Sequence, residues 1–359
     1  MTRSFRVLVL LIAAFAVATV TACSRADRNA APAPASQGPA DTLRLGYFPN
    51  ITHAPALIGL DKGFFARELG ATKLVTQQFN AGPPEVSALL GGSLDAAFIG
   101  SSPAINAFAQ SKGATVRLVA GSTSGGAQLV VRPGITSPDQ LKGQTIATPQ
   151  LANTQDVSFK KWLKAHNLPT GTGPGLVTVQ NLANPRTLDL FSSGQLAGGW
   201  LPEPWSSQLV VDAGATALVD ERSLWPGGQF PTTVLLVRTD FLRAHPDTVA
   251  ALLRGTQQAI DYAASNPADA KTVTNNAIKR LTGATLSQPV LDRAFSELSF
   301  GLDPLASTFP QLARDSVSAG VASTTPDLHG FLDLTELNKV RGAAGKPAVG
   351  AAGLDKTQR

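Results

Sequence analysis

The chain is predicted to be an α/β protein, and three observations carry that reading. Short β-branched runs alternate with helical patterns as far as Thr239, Gly- and Pro-rich turns separate them, and the stretches that follow read as helix. Such alternation argues for parallel sheets flanked by helices, because parallel neighbours need a long crossover between them. The strand candidates are TLRLGYF from Thr42, KLVTQQF from Lys73, AAFIG from Ala96, VRLVAG from Val116, QLVVRP from Gln128, TIATP from Thr145, VTVQNLA from Val177, TALVD from Thr216 and TVLLVR from Thr233. Beyond Thr239, residues Asp247 to Ser265, Ala268 to Leu281 and Gln288 to Phe300 read as helices whose starts are marked by HPD, NPAD and SQP.

Each early strand runs into a polar or Gly/Pro loop and then a helix start. In Gly100-Ser101-Ser102-Pro103, Ser102 suits the N-cap and Pro103 the first helical position, where no N–H partner is needed. Gly82-Pro83-Pro84-Glu85 and Asn184-Pro185-Arg186 repeat the device. Ligands of open α/β sheets gather at the carboxyl ends of strands, where helix N-termini offer free N–H groups and partial positive charge. That arrangement suits a carboxylate, sulfonate or nitrate.

Cys23 is the only cysteine. Arg3 and Arg6 precede an apolar run from Val7 to Ala22, and Val20-Thr21-Ala22-Cys23 places a small residue before the sulfur. The pattern matches a secretory signal and resembles a lipobox. Residues 1–22 are thus expected to be a signal peptide and 23–41 a linker anchored by lipid at Cys23, since the run is shorter than the about 20 residues of a membrane span. Ser24 to Ala40 holds Pro, Ala and Ser but no large apolar side chain, as a flexible spacer would.

With no second cysteine there is no disulfide framework, thiolate metal site or cysteine nucleophile in the body of the chain. At 43% hydrophobic and 15% charged it is globular, with room for two domains in its 359 residues. The formal charge of +5 is mild and no basic block occurs, which disfavours nucleic acid and leaves a small anion compatible. His166, His245 and His329 are isolated; His166 ends a lysine-rich helix and reads as a partner of its C-terminal dipole. No nucleophile elbow, P-loop, H-E-x-x-H or complete dinucleotide fingerprint is present, so no enzyme, cofactor or metal is expected.

Four segments in order, LGYFPNITHAPALIGLDKGFF, FNAGPPEVSALLGGSLDAAFIGSSP, DQLKGQTIATP and FSSGQLAGGWLPEPW, resemble the nitrate/sulfonate/taurine group of ABC-transporter substrate-binding proteins. The resemblance runs from about Leu43 to Arg238. It implies a two-lobed periplasmic-binding-protein-like (type II) fold with two crossing strands and a ligand cleft. Val130 to Arg132 and Val234 to Val237 are the candidate crossings. Lobe 1 is then expected at 42–128 plus 238–341, lobe 2 at 129–237 and a loose tail at 342–359. The implied role is the solute-binding lipoprotein of an ABC importer, a monomer on the outer face of a bacterial cytoplasmic membrane. It would deliver a small anionic or polar organic solute, a sulfonate first, to the permease. A thiamine-pyrimidine precursor, nitrate and an aromatic carboxylate are alternative solutes, nitrate fitting a tryptophan-lined pocket poorly. A ligand-sensing lipoprotein and an exported enzyme on the same fold are alternative roles; the cysteine-rich motif of the related yeast pyrimidine synthase is missing.

The candidate site residues follow from strand ends and resemblance together. Tyr47, Asn50, Thr52 and His53 in YFPNITH either line the cleft, with His53 donating to ligand, or form a capped turn. Ser101 and Ser102 either hold the anionic head-group or serve as an ordinary cap. Asn153, Thr154 and Gln155 resemble the second lobe's binding turn, although Gln150-Leu151-Ala152 replaces the usual Gly/Ser-rich sequence and Asp156 would repel an anion unless it points away. Trp200, Glu203 and Trp205 in GGWLPEPW either meet the solute, the indoles stacking on its apolar part, or divide between core and helix start.

Overall fold

A computed structural model describes residues 36–355. Cys23, the signal segment 1–22 and most of the expected spacer lie outside the described residues. Among those described, no helix is long and apolar enough to cross a membrane.

The chain opens with β1 (Thr42–Tyr47), α1 (Ala54–Asp61), α2 (Phe64–Leu69), β2 (Lys73–Gln78), α3 (Gly82–Leu90), β3 (Ala96–Gly100), α4 (Ser101–Gln110) and β4 (Val116–Gly125). The middle of the chain folds as β5 (Ala127–Val131), β6 (Thr145–Thr148), α5 (Thr154–Ala165), β7 (Thr178–Asn181), α6 (Asn184–Ser192), β8 (Gly198–Pro202), α7 (Trp205–Ala213) and β9 (Thr216–Asp220). β10 (Pro231–Arg238) rejoins the first part, followed by α8 (Thr239–Ala244), α9 (Pro246–Ser265), α10 (Pro267–Thr282), α11 (Gln288–Ser296), β11 (Leu298–Phe300), α12 (Phe309–Ser318) and α13 (Thr335–Ala343).

Two sheets result, in the orders β11-β4-β10-β3-β1-β2 and β7-β6-β8-β5-β9. Both are mixed, where the sequence argued for parallel sheets. β2 and β3 flank β1 in parallel, and β7 and β8 flank β6 in parallel, but β10 runs antiparallel to β3 and β4, and β5 antiparallel to β8 and β9. Neither β5 nor β10 is entered from an α-helix, β5 following β4 directly and β10 following the turns after β9, a topology that helix–strand alternation alone does not reveal.

The second sheet shows why its inner strands β5 (AQLVV) and β8 (GGWLP) are largely apolar and fully buried. Leu129, Val131, Ile146 and Trp200 pack on one face with Phe159, Trp162 and Leu163 of α5, whereas their neighbours Val130, Ala147 and Leu201 pack on the other with Phe191 of α6 and Leu209 of α7. A strand covered on both faces must be apolar at odd and even positions alike.

The passages between sheets fall outside the runs expected to cross. Val130 to Arg132 begins inside the second sheet and Val234 to Val237 sits inside the first. The chain crosses at Gly125-Gly126 and returns through the turns between Asp220 and Pro231. Gly125 and Gly126 take φ of 78° and 68°, a left-handed pair that glycine adopts without steric cost and that carries no apolar signal. Two further expectations are corrected. The helix expected through Phe300 stops at Ser296, because Leu298 and Phe300 turn inward at strand spacing and pair with β4. The tail expected to be loose is docked to Asp355: Asn338 Nδ2 donates to the Val349 carbonyl at 3.0 Å, Val349 N donates back to Asn338 Oδ1 at 2.8 Å, and Leu332 N donates to Leu354 O at 3.1 Å.

Glu221 opens the return passage and is buried. Trp200 Nε1 donates to its Oε2 at 2.9 Å and the Ser158 hydroxyl donates to its Oε1, so one carboxyl ties the passage to β8 and α5. Burial pushes this acid from its usual 4.5 up to about 7, against the opposing pull of Ser158, Trp200 and Lys161. The folded protein therefore binds a proton that the unfolded chain has lost between those pH values, and the group's stabilising contribution declines as pH rises from about 4.5 to about 7. Glu221→Gln, a mimic of the protonated acid, should remove that decline: denaturant titrations should show the wild type losing on the order of 3 kcal/mol relative to the variant across this range. Parallel pH profiles would contradict the assignment.

Candidate functional site

A small cavity of about 30 Å³ lies where the two sheets meet, with room for about two or three water-sized centres. Its first-lobe wall comprises Phe48, Asn50, Thr52, His53, Asn80, Gly100, Thr232 and Thr233, and its second-lobe wall Pro149, Asn153, Thr154, Gln155, Asn184 and Pro202. Apart from Thr232 and Thr233 at the start of β10, these residues end or follow the carboxyl ends of β1, β2, β3, β6, β7 and β8. The caps or first residues of α1, α4, α5 and α6 therefore line one space: His53, Gly100, Asn153 with Thr154, and Asn184. Each start leaves N–H groups without intrahelical partners and carries about half a positive charge.

Side chains cross the cleft to meet those groups. Gly82 N, at the start of α3, donates to Asn153 Oδ1 of the other lobe at 3.0 Å, and Ser102 N donates to Thr154 Oγ1 at 3.3 Å. The residues preceding α3 and α4 are Ala81 and Gly100, which have no side-chain oxygen with which to cap their own helices. A third link runs from Trp205 Nε1 to Asn50 Oδ1 at 3.2 Å. An indole or backbone N–H can only donate, so the Asn50 and Asn153 carbonyl oxygens are engaged and their NH2 groups remain available.

Among the described residues, none lining the cavity bears a formal charge. His53 is buried, its Nε2 3.0 Å from the Phe98 carbonyl and its Nδ1 3.1 Å from Thr52 Oγ1, and burial lowers its pKa to about 3. The neutral ring donates at Nε2 to Phe98 and accepts at Nδ1 from Thr52. Its expected donation to a solute is corrected accordingly: His53 lines the cavity with both nitrogens already used. Asp156, the anion-repelling candidate, is turned away by Thr148 Oγ1 (2.9 Å), Asn181 Nδ2 (2.8 Å), Ala152 N (3.0 Å) and Lys160 Nζ (2.8 Å). Ala152 holds the left-handed φ of 67° that a glycine would adopt more easily in this turn.

Of the sequence candidates, Asn50, Thr52, His53, Asn153, Thr154 and Gln155 come together on the cavity. Tyr47 does not; it is buried in the first-lobe core, its phenol raised by burial against a hydrogen bond with Thr76. Ser101 and Ser102 are the first two residues of α4, with Gly100 as cap, so Ser102 is not the N-cap; neither lines the cavity, and both buried hydroxyls have no hydrogen-bond partner among the described residues. Trp200 is a core residue, because β8 sends it toward α5 and Glu221. Glu203 is buried and accepts from Ser207 N at 3.2 Å in the first turn of α7, facing Arg293 Nη1 at 3.3 Å, with burial raising its pKa against those partners. Trp205 is not in the lining and acts through Asn50.

Sequence reasoning missed Phe48, Asn80, Gly100, Pro149, Asn184, Pro202, Thr232 and Thr233 as lining. Asn184 carried a signal, since its helix start matched the others. Thr233 did not; its hydroxyl is buried beside the cavity with no hydrogen-bond partner among the described residues, as is Asn184 Oδ1.

The NMT1-like family profile matches residues 36–278, more than half of the chain. The chain belongs to the NMT1-like family. The taurine-binding periplasmic protein of Escherichia coli (strain K12) is 29% identical over 216 residues, 59% of this chain and 64% of that one. The chain thus spans less than two thirds of that relative's length. Two solved structures share the fold of this NMT1-like protein. The nitrate-binding protein NrtA from Synechocystis PCC 6803 aligns at TM-score 0.68 and 14% identity, covering 88% of this chain and 91% of that one. The alkanesulfonate-binding protein SsuA from Xanthomonas axonopodis pv. citri, bound to MOPS, aligns at 0.64 and 20%, covering 80% and 95%. The fold is therefore the two-lobed periplasmic-binding-protein type expected from the resemblance.

The cross-cleft bonds give a direct test. A Cβ at Gly100 would lie 2.6 Å from Thr154 Oγ1, so Gly100→Ala should hold the lobes apart. Thr154→Val should weaken closure by about the 1 kcal/mol of a lost helix cap. Solution scattering should show a larger radius of gyration for both variants, more so for Gly100→Ala. An unchanged radius would mean that these contacts do not govern closure.

Proposed function

We propose that this chain is the exported solute-binding component of an ABC importer, lipid-anchored through Cys23, which captures a small oxyanion by closing its two lobes and presents it to a permease. The observation that carries the reading is the uncharged cleft into which helix starts from both lobes converge, with the Asn50 and Asn153 amides oriented to offer N–H groups. A site of neutral donors and helix dipoles suits a single oxyanion and leaves no charge buried after release. Family membership supports the same reading, since the aligned relatives are binding proteins for taurine, nitrate and alkanesulfonate. No catalytic role is proposed.

Sulfonates are the first class to test. The position of Trp200 in the core removes the objection that a tryptophan-lined pocket disfavours nitrate, so inorganic oxyanions belong in the same screen, with carboxylates and pyrimidines beside them. The bound solute should stabilise the protein by about 2.7 kcal/mol at a hundredfold excess over its Kd. Thr233→Val, which removes the unpartnered hydroxyl and keeps the shape, should weaken binding roughly 10- to 100-fold, the value of a hydrogen bond to a charged group. Calorimetric titration measures both. A screen in which only cations or uncharged solutes bind would sink the proposal.

Membrane attachment is tested separately. Cys23→Ala should abolish incorporation of labelled fatty acid into the protein, the modification on which the anchor depends. Fatty-acid labelling that persists in the variant would refute the lipid anchor at Cys23.

A further inference from the structure

Glu85 of α3 is 0% exposed, and both of its carboxyl oxygens are buried with no hydrogen-bond partner among the described residues. The buried acids Asp156, Glu203 and Glu221 differ, since each accepts hydrogen bonds from side chains or backbone N–H groups. A carboxyl stripped of water and given no donor is tolerated only in its neutral form, and burial pushes this acid well above the usual carboxylate range.

Its seat lies over β1. A Cβ at Gly46 would come 2.6 Å from Oε1, and Leu94 and Ala97 border the same spot, so the absence of a side chain at 46 leaves room for the carboxyl. The charged groups around it are engaged elsewhere. Arg44 of β1 donates to Asp95 Oδ2 at 2.9 Å and to the Gly92 carbonyl at 2.6 Å, and the Tyr47 phenol is hydrogen-bonded with Thr76. Arg238 donates to the Leu89 carbonyl and to Asp240, each at 3.0 Å. β3 and α4, which pack on α3, carry no ionisable side chain.

Glu85 stands in the first turn of α3, three residues after Gly82, whose N–H reaches Asn153 across the cleft. Pro83 and Pro84 have no N–H, so Gly82 supplies the one backbone donor of the first three residues. Pro84 is exposed, which places water beside this turn. An ionised Glu85 reaches that water by displacing the turn, and the turn carries the cross-cleft donor with it.

We propose that Glu85 is a proton-operated catch on lobe closure: neutral, it seats α3 on Gly46 and keeps Gly82 within reach of Asn153; ionised, it leaves the seat, breaks that bond and opens the cleft. The closed form holds a proton that the opened, hydrated acid releases. Closure is therefore favoured at low pH and is lost as pH rises through the raised value. The catch rests on capture by lobe closure, as proposed above, and not on the identity of the solute.

Solution scattering of the solute-free full chain, from acidic to mildly alkaline pH, tests the catch against Glu85→Gln, which stays neutral, and Glu85→Leu, which has no acid to hydrate. The wild type should expand as pH rises while both variants keep one radius of gyration, with circular dichroism showing the helices intact throughout. Infrared spectra should show a protonated-carboxyl band in the wild type, at a pH where ordinary carboxylates are ionised, that Glu85→Gln removes. Calorimetry with nitrate and with methanesulfonate should show wild-type affinity falling by up to about tenfold per pH unit, the limit for one linked proton. The variants should lose that fall and keep only the contributions of Glu203 and Glu221, which all three proteins share. Parallel scattering profiles for the wild type and Glu85→Gln would overturn the catch, whether or not either anion binds. Expansion confined to the wild type, with neither anion bound at any pH, would uphold the catch and count against the oxyanion reading alone.

Discussion

Two helix starts in the first lobe cannot cap themselves, and the second lobe caps them across the cleft. Ala81 and Gly100 stand where a Ser, Thr, Asn or Asp ordinarily would, and Asn153 and Thr154 supply the missing acceptors. The closed arrangement depends on this exchange. An uncapped helix start in a cleft is costly when buried and inexpensive when wet, so the same groups tolerate the open state and reward the closed one. Gly100 is small for a related reason, since any side chain there would collide with Thr154.

Such an exchange works only if each lobe moves as a unit. The second lobe is rigid because its sheet is packed on both faces and because Glu221 fastens the return passage to Ser158 and Trp200. The outward passage is a pair of left-handed glycines. On the same side of the molecule Arg293 of α11 reaches Ser207 Oγ at 2.8 Å and Glu203 at 3.3 Å. The lobes are thus tied by directional polar contacts at the passages and by helix capping at the cleft.

Much of this was legible in the sequence. Strands showed as β-branched runs, and the cavity-lining turns showed as polar loops at strand ends which the family resemblance singled out, and the two together found Asn50, Thr52, His53 and the Asn153 to Gln155 turn. What escaped depended on facing and register. Trp200 and Leu201 are adjacent in one strand and go to opposite faces, and only the sheet order decides which face meets the cleft. Ser101 and Ser102 looked like a cap because Pro103 looked like a first helical residue, yet the helix starts at Ser101 with Gly100 in extended conformation before it. Thr232 and Thr233 read as ordinary strand formers, and their role comes from lying where β10 rejoins the first sheet. The C-terminal stretch looked loose because Gly and Ala carry little packing signal, although Asn338 pins it through two backbone bonds.

If the cavity takes an oxyanion, as proposed, the absence of charge in its described lining bears on how capture and release would be coupled. An arginine on one lobe would hold an anion in the open state, and closure would then add little discrimination. Helix starts contribute about 0.3 to 2 kcal/mol each, and they do so over a single turn. The donors of one lobe alone are therefore weak, and useful affinity requires both lobes at once. Since a solute shifts a conformational equilibrium only by its differential affinity for the two states, a cleft of divided, neutral donors places most of that affinity in the closed state. The same division favours release, because opening removes half of the donors and rehydrates the rest without leaving a buried ion behind. The orientation of Asn50 by Trp205 and of Asn153 by Gly82 belongs to this scheme: the bonds that draw the lobes together also aim the amide donors.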